Sequence, residues 1–224
     1  MRTVVVIGRK GGSGKSTIAA NLAIGFHLRG SRTVLVDIDP QRSSIEIFNG
    51  RTETQPTVIA SSASKLFTLQ IAQVREGVDA MVVDTPAVLE EDIAQAVVLA
   101  DLATLVVRPT FLDLVAAAHT SNIIRRLQKP GLVIMNQAPP ARGGIEPPAV
   151  TRAIEALRQL RLPVAPTIIH ARAAYQTVLE VGRSAEEQVA ENSSAREMGA
   201  LCDFIHHLVF AQRGVIFRSD NEGG

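Results

Sequence analysis

A glycine-rich turn between an apolar run and a helical pattern constrains the fold of this 224-residue chain more than any other feature. The apolar run covers residues 3–7, and the helical pattern covers residues 16–29. Glycines let the turn curl without Cβ clashes, so backbone N–H groups and the positive end of the helix dipole converge on one spot. The sequence therefore predicts a strand, a phosphate-binding loop and a helix in that order.

Side chains of this turn have predicted roles in nucleotide binding. Lys15 supplies a cation to the β- and γ-phosphates, Ser16 offers a hydroxyl to Mg²⁺, and Thr17 adds a hydroxyl toward the α-phosphate. The predicted nucleotide-binding residues of the turn are Gly11, Gly12, Ser13, Gly14, Lys15, Ser16 and Thr17. Arg9 stands where the general G-x-x-x-x-G-K-[ST] pattern has its first glycine, and an additional lysine, Lys10, follows it.

Two later apolar runs end in carboxylates. Asp37 and Asp39 alternate at the end of the run 33–38, so their side chains point the same way, and Asp84 ends the run 80–84. Acids that face a phosphate repel it unless a cation lies between them. We therefore expect either Asp37 or Asp39 to hold Mg²⁺ through water while the other orients the attacking water. Asp84 is expected to accept a hydrogen bond from Mg²⁺-bound water or from the Ser16 hydroxyl.

The arrangement of apolar runs predicts an α/β protein with a single doubly wound, mostly parallel sheet and helices on both faces. Strands are predicted at residues 3–7, 33–38, 80–84 and 103–107, with weaker ones at 132–135 and 167–169. Helices are predicted at 16–29, within 61–76, and at 90–100, 112–127, 149–160, 174–181 and 195–210. One ATPase domain is expected over residues 1–212 and a flexible tail over 213–224.

Composition narrows the class of protein. The chain has 23 basic and 22 acidic residues and a net charge of +1, so any binding to nucleic acid must come from a local patch. No uncharged run approaches the roughly 20 residues that span a bilayer, so no membrane partner is expected. A single cysteine, Cys202, excludes an internal disulfide and fits a cytoplasmic location.

The string from Lys10 to Thr17 resembles the deviant Walker A motif of the ParA/MinD family of ATPases. The resemblance implies that ATP and Mg²⁺ are the cofactors and that Lys10 reaches across an ATP-sandwich homodimer to the partner's phosphates. It also implies that Asp39 positions the hydrolytic water and that Asp37 supports the metal. The implied catalytic residues are Lys10, Lys15 and Asp39, and the implied metal residues are Ser16, Asp37 and Asp84.

Three later features are weaker. Residues 108–113 resemble a segment of small ParF-type plasmid partition ATPases, which leaves open a proline turn with a helix cap or a role at a dimer face. Asn136, at the end of the fifth predicted strand, is a candidate for reading the adenine edge. Arg172 lies in a stretch that resembles the family's loop beside the base.

The leading functional hypothesis is an ATPase for DNA segregation and plasmid partition. Its ATP dimer would bind non-specific DNA on the nucleoid, and hydrolysis, stimulated by a ParB-like adaptor or cargo protein, would reset it. Candidate DNA contacts are Arg142, Arg152, Arg158, Arg161, Arg172, Arg183 and Arg196, although interleaved acids leave a solvated mixed-charge face equally open. The alternatives are a MinD-like positioning ATPase, a metabolic P-loop ATPase of the same superfamily and a non-catalytic nucleotide-binding regulator.

Overall fold

Six parallel strands form the central sheet of the computed structural model, which describes residues 1–87, 90–188 and 192–211. In chain order the strands are β1 (Arg2–Ile7), β2 (Thr33–Asp37), β3 (Thr57–Ala60), β4 (Ala80–Asp84), β5 (Leu102–Val107) and β6 (Gly131–Met135). Their spatial order is β3-β2-β4-β1-β5-β6. Because β4 and β5 flank β1, the loop that leaves β1 lies at the crevice where such sheets bind ligands.

Eight helices connect and cover the described strands. They are α1 (Lys15–Leu28), α2 (Ser43–Asn49), α3 (Leu66–Arg75), α4 (Glu90–Leu99), α5 (Phe111–Arg126), α6 (Pro148–Arg158), α7 (Ala173–Glu180) and α8 (Ser193–Phe210). Short 3₁₀ turns occupy Ala63–Lys65 and Ala185–Glu187. In the described ranges, no helix combines the length and the apolar character needed to cross a bilayer.

The sheet is buried on both faces, which explains the continuous apolar runs in the sequence. Along β1, Val4 and Val6 point to one face and Val5 and Ile7 to the other. The first face packs against α1 and α8, and the second against α4, α5 and α6. These observations confirm the predicted doubly wound α/β fold with helices on both faces.

One predicted strand is wrong, and two elements were missed. Residues 167–169 form no strand, and among the described residues only Ile169 of this segment makes backbone bonds outside helices and strands, donating from N to Met135 O and accepting at O from Ala138 N. The strand that completes the six-stranded sheet is instead β3, the first missed element. It lies at the edge of the sheet and is only partly buried, so its apolar pattern is weak. The second missed element is α2, a seven-residue helix whose first turn is stabilised by the carboxylate of Asp37 at the end of β2. The predicted tail, residues 213–224, lies outside the described residues.

Candidate nucleotide-binding site

The glycine-rich loop joins β1 to α1 at the carboxyl edge of the sheet. Gly12 and Gly14 have φ angles of 73° and 91°, in the left-handed region that side chains with a Cβ rarely adopt. At Gly14 a Cβ would also collide with the amide nitrogen of Asn136. The loop is therefore a backbone cradle that ends directly at the first turn of α1, as phosphate binding requires.

Residues after β6 support this loop from outside. Asn136 is buried, and its Nδ2 donates to the Ser13 carbonyl at 2.7 Å. Gln137 has a φ of 52°, and its Nε2 donates to the Gly12 carbonyl at 2.9 Å. The amide nitrogen of Asn136 is thus used to hold the loop. The predicted role of Asn136 in reading adenine stays a prediction. Sequence reasoning missed Gln137, for which the only signal is its position beside Asn136.

Lys15 begins α1 and is 7% exposed. Burial lowers the pKa of Lys15, whereas the carboxylates of Asp84 and Asp39 act in the opposite direction. Ser16 and Thr17 follow in the same helical turn and are half-buried. The structure therefore brings the predicted lysine, the predicted hydroxyls and two of the predicted acids to one edge of the sheet.

Asp84 is fully buried at the end of β4, directly opposite Val6 of β1 and Asp37 of β2. Its Oδ2 accepts a hydrogen bond from Ser44 Oγ at 2.8 Å, and its Oδ1 has no hydrogen-bond partner among the described residues. Burial raises the pKa of Asp84 to about 6, while the nearby hydroxyls of Ser16 and Ser44 work against this rise. A buried carboxylate oxygen without a donor is costly unless a cation or its water occupies that position. The residues present therefore fit a hydrated Mg²⁺.

The carboxylate of Asp37 accepts hydrogen bonds from backbone N–H groups, whereas the sequence predicted a role at the metal. Its Oδ1 accepts a hydrogen bond from Asp39 N at 2.9 Å, and its Oδ2 accepts from Ser44 N at 3.0 Å and Ile45 N at 3.2 Å. These bonds cap the first turn of α2 and bring Ser44 to Asp84. Burial raises the pKa of Asp37, and the hydrogen bonds from Ile45, Asp39 and Ser44 oppose the rise. A direct role of Asp37 at the metal stays a prediction.

Asp39 lies just beyond β2 and is half-buried. Its Oδ1 accepts a hydrogen bond from Gln41 N at 2.9 Å, which fixes the turn but leaves lone pairs for a water. Arg42 then ties this turn to the sheet edge by donating to the carbonyls of Asp37 and Ser61. Sequence reasoning missed Arg42 and Ser44 because their partners are set by the fold of the segment after β2.

Lys10 is half-buried in the glycine-rich loop. Within the described ranges, its ammonium group makes neither a hydrogen bond nor an ion pair. The neighbouring Arg9 is different, since its Nη1 lies 3.8 Å from Glu90 Oε2 at the start of α4. Of the two adjacent cations, Lys10 is therefore the one whose charge these residues leave unmatched.

Arg172 lies at the start of α7 and is held by Glu197 of α8, with its Nε 3.2 Å from both carboxylate oxygens. His170 Nδ1 lies 2.9 Å from Glu197 Oε1, and His170 Nε2 lies 3.2 Å from Glu146 Oε1. Tyr175 also donates to Glu197, at 3.1 Å. In the structure, Arg172 therefore bonds to Glu197. The predicted contact of Arg172 with the base stays a prediction.

Comparisons with known proteins agree with this geometry. Residues 4–206 match the CobQ/CobB/MinD/ParA nucleotide binding domain. "Maintenance of carboxysome distribution protein A" from Halothiobacillus neapolitanus is 31% identical over 206 residues, which cover 87% of this chain and 91% of that protein. "Protein ParA" from Rhizobium radiobacter is 30% identical over 125 residues, covering 55% of this chain and 56% of that protein.

Solved structures share the fold. A McdA variant from Cyanothece in complex with ATP has a TM-score of 0.76 and 15% identity, covering 96% of this chain and 98% of that one. MinD from Pyrococcus horikoshii in complex with Mg-ADP has a TM-score of 0.73 and 18% identity, covering 94% and 98%. The chain therefore belongs to the CobQ/CobB/MinD/ParA family of nucleotide-binding proteins and has the P-loop fold of MinD and McdA.

Proposed function

We propose that this member of the ParA/MinD-type positioning ATPases forms a homodimer with ATP sandwiched between the subunits. The observation that carries the proposal is the pair of lysines in one phosphate loop. Lys15 is buried beside Asp84 and Asp39 and serves the nucleotide of its own subunit. Lys10 sits on the same loop with no partner among the described side chains, so its charge is left for phosphates held by a second subunit.

Hydrolysis resets this dimer. Ser16 and Asp84 would hold the Mg²⁺, which would supply positive charge to neutralise the phosphates. Asp39 is half-buried, and among the described residues it accepts a hydrogen bond only from Gln41 N, so it orients the attacking water. Loss of the γ-phosphate removes the contact that Lys10 makes across the dimer, so the ADP form separates.

DNA is the proposed surface on which the dimer is retained. Arg142, Arg152, Arg158, Arg161 and Arg196 are exposed, and no ion pair holds them in the described part of the chain. Two other candidates are engaged, since Arg172 pairs with Glu197 and Arg183 lies 4.0 Å from Glu53. Exposed arginines without internal partners favour contact with a phosphate backbone of any sequence.

The cargo is proposed from the relatives. One is named for carboxysome distribution and another is named ParA, so the cargo is a plasmid or a large protein assembly that is recognised through a ParB-like adaptor. Such an adaptor would act by stimulating hydrolysis, so that DNA-bound dimers are released near the cargo. The proposed location is the cytoplasm, with the ATP form on the nucleoid.

Sedimentation velocity of the wild-type protein tests the proposal. We expect monomers with Mg-ADP and dimers with a Mg²⁺-loaded non-hydrolysable ATP analogue. Random-sequence duplex DNA should co-sediment only with the dimer and should dissociate as salt rises from about 50 to 200 mM. A protein that stays monomeric with both ADP and the ATP analogue would refute the dimer. Dimers that do not co-sediment with DNA would refute DNA binding alone.

A further inference from the structure

Arg108 leaves β5 beside the phosphate loop and is held rigidly. Its Nε donates to Asp113 Oδ1 at 3.0 Å, and its Nη2 donates to Asp113 Oδ2 at 3.1 Å. Asp113 is 4% exposed and is itself fixed by Thr110, whose Oγ1 donates to it at 2.6 Å. A two-point bond of this kind fixes both the position and the plane of the guanidinium.

The remaining nitrogen of Arg108 faces the loop. Nη1 takes no part in the bonds to Asp113, and it lies 3.9 Å from the position that a Cβ on Gly12 would occupy. The Arg108 side chain is 29% exposed. Among the described residues, Nη1 has no acceptor. It therefore presents N–H donors at the edge of the loop that also carries Lys10, and the arginine is already held in place.

The first turn of α5 adds apolar surface next to this arginine. Phe111 is 77% exposed, Leu112 is 60% exposed and Val115 is 44% exposed. Single exposed apolar side chains are ordinary, but three on one turn beside a fixed cation form a patch that is favourable to cover. Together Arg108, Phe111, Leu112 and Val115 are called the α5 lip below.

We infer that the α5 lip contacts a second copy of this chain when that copy closes on the nucleotide. The inference rests on the proposed ATP-dependent dimer and adds residues to it. The α5 lip adjoins Gly12 in the loop of Lys10, so a copy that brings its phosphates to Lys10 also covers the lip.

Charge on the same edge fits a two-fold contact. β4 and β5 flank β1, so the first turns of α4 and α5 lie on either side of the phosphate loop. The first turn of α4 carries Glu91, which is exposed, and Asp92, which is half-buried, and neither forms an ion pair in the described ranges. In an isologous dimer, the Arg108 Nη1 that Asp113 leaves unused in one copy then meets the acidic turn of the other.

Two variants test the α5 lip, each with a control at the opposite end of the molecule. Arg108→Gln removes the charge, and Leu112→Ser removes apolar surface without touching an ion pair. Arg125→Gln alters an exposed arginine at the far end of α5, and Leu28→Ser alters a leucine that is 50% exposed at the far end of α1. Sedimentation velocity with saturating non-hydrolysable ATP analogue and Mg²⁺ gives the dimer dissociation constant.

We expect Arg108→Gln and Leu112→Ser each to raise the dimer dissociation constant at least about tenfold, as for central interface residues. Nucleotide affinity of dilute monomer should change less than about twofold, which is within the scatter of distant surface changes. Both controls should dimerise like the wild type. If Arg108→Gln fails to fold, as judged by circular dichroism, Leu112→Ser decides the outcome.

Three results would overturn the inference. Wild-type dimers together with unchanged dimers of both variants would show that the α5 lip lies outside the interface and would leave the proposed function intact. A loss of nucleotide affinity in monomeric Arg108→Gln as large as its loss of dimer affinity would assign Arg108 to its own subunit's phosphates. Wild-type protein that stays monomeric with the ATP analogue would refute the proposed function and the α5 lip contact together.

Discussion

Asn136 Nδ2 donates a hydrogen bond of 2.7 Å to the carbonyl oxygen of Ser13, which ties the end of β6 to the phosphate loop. The two residues are 123 positions apart in the chain. The loop therefore owes its shape to residues beyond its own glycines, and any substitution at Asn136 alters the phosphate site indirectly.

Replacing Asn136 by alanine should weaken nucleotide binding through the loop rather than through the base. Loss of a buried hydrogen bond of about 1–3 kcal/mol predicts a roughly ten- to hundredfold loss of affinity for both ATP and GTP. Gln137→Ala, which removes the more exposed bond to Gly12, should cost less. Titration calorimetry with both nucleotides checks this, and a loss confined to ATP would instead support the predicted reading of adenine.

Two glycines of the loop should respond differently to alanine. Gly14 has a φ of 91° and faces the Asn136 amide, whereas a Cβ on Gly11 would meet no atom of the described residues within 4 Å. Gly14→Ala should lower the free energy of unfolding by about 1–3 kcal/mol from backbone strain, with the clash adding to it. Gly11→Ala should change it by less than about 0.5 kcal/mol. Urea unfolding without nucleotide measures both, and equal stabilities would show that the loop is not held as described.

Asp84 and Asp37 should separate metal binding from helix capping. Asp84→Asn neutralises the carboxylate whose Oδ1 finds no donor among the described residues, so the ATP affinity of the variant in Mg²⁺ should fall to that of the wild type in EDTA. Asp37→Asn replaces one of two accepting oxygens by an NH2 donor, so it loses a backbone hydrogen bond from Asp39 or from α2 and should lower the free energy of unfolding by about 1 kcal/mol. Calorimetry with and without Mg²⁺, paired with urea unfolding, distinguishes them. An Asp84→Asn protein that keeps the full Mg²⁺ effect would remove Asp84 from the metal site.

Glu197 should make stability depend on pH. Burial alone would raise the pKa of Glu197, but hydrogen bonds from Arg172 and His170 outweigh it and hold the pKa below its ordinary value. Tyr175 also donates to Glu197, and Glu146 faces the other side of His170. The stabilisation is therefore present above the ordinary glutamate pKa of about 4.3 and is lost as pH falls through the lower native pKa.

The matching variant is Glu197→Gln. At pH 7 Glu197→Gln should lower the free energy of unfolding by about 1–3 kcal/mol, because Arg172 then donates to a neutral amide instead of a carboxylate. The difference from the wild type should shrink as the pH falls below about 4. Urea unfolding at several pH values measures it. A difference that is constant with pH would mean that the charge of Glu197 contributes nothing.

Much of the fold and part of the site could be predicted from the sequence. β1, β2, β4 and the glycine-rich loop are local features, since buried parallel strands read as continuous apolar runs and the loop has fixed spacing. β3 was missed because an edge strand is only partly buried, and the segment 167–169 misled because its apolar residues contact β6 without forming a ladder.

The supporting residues of the site were harder to predict. Ser44 reaches Asp84 only because Asp37 caps α2, and Arg108 lies beside the phosphate loop only because β5 lies beside β1. These relationships depend on which strands become neighbours, which a single sequence does not encode in its spacing. Sequence patterns therefore identified the groups proposed to bind phosphate more readily than the groups that position them.

The shared phosphate site is tested most directly by the dimer dissociation constant of Lys10→Ala with Mg²⁺ and a non-hydrolysable ATP analogue. Arg9→Ala is the matched control, because it removes a neighbouring cation that already lies 3.8 Å from Glu90. We predict that Lys10→Ala binds the analogue as a monomer with affinity within about threefold of the wild type, while Arg9→Ala dimerises normally. A Lys10→Ala protein that dimerises as tightly as the wild type would contradict the account.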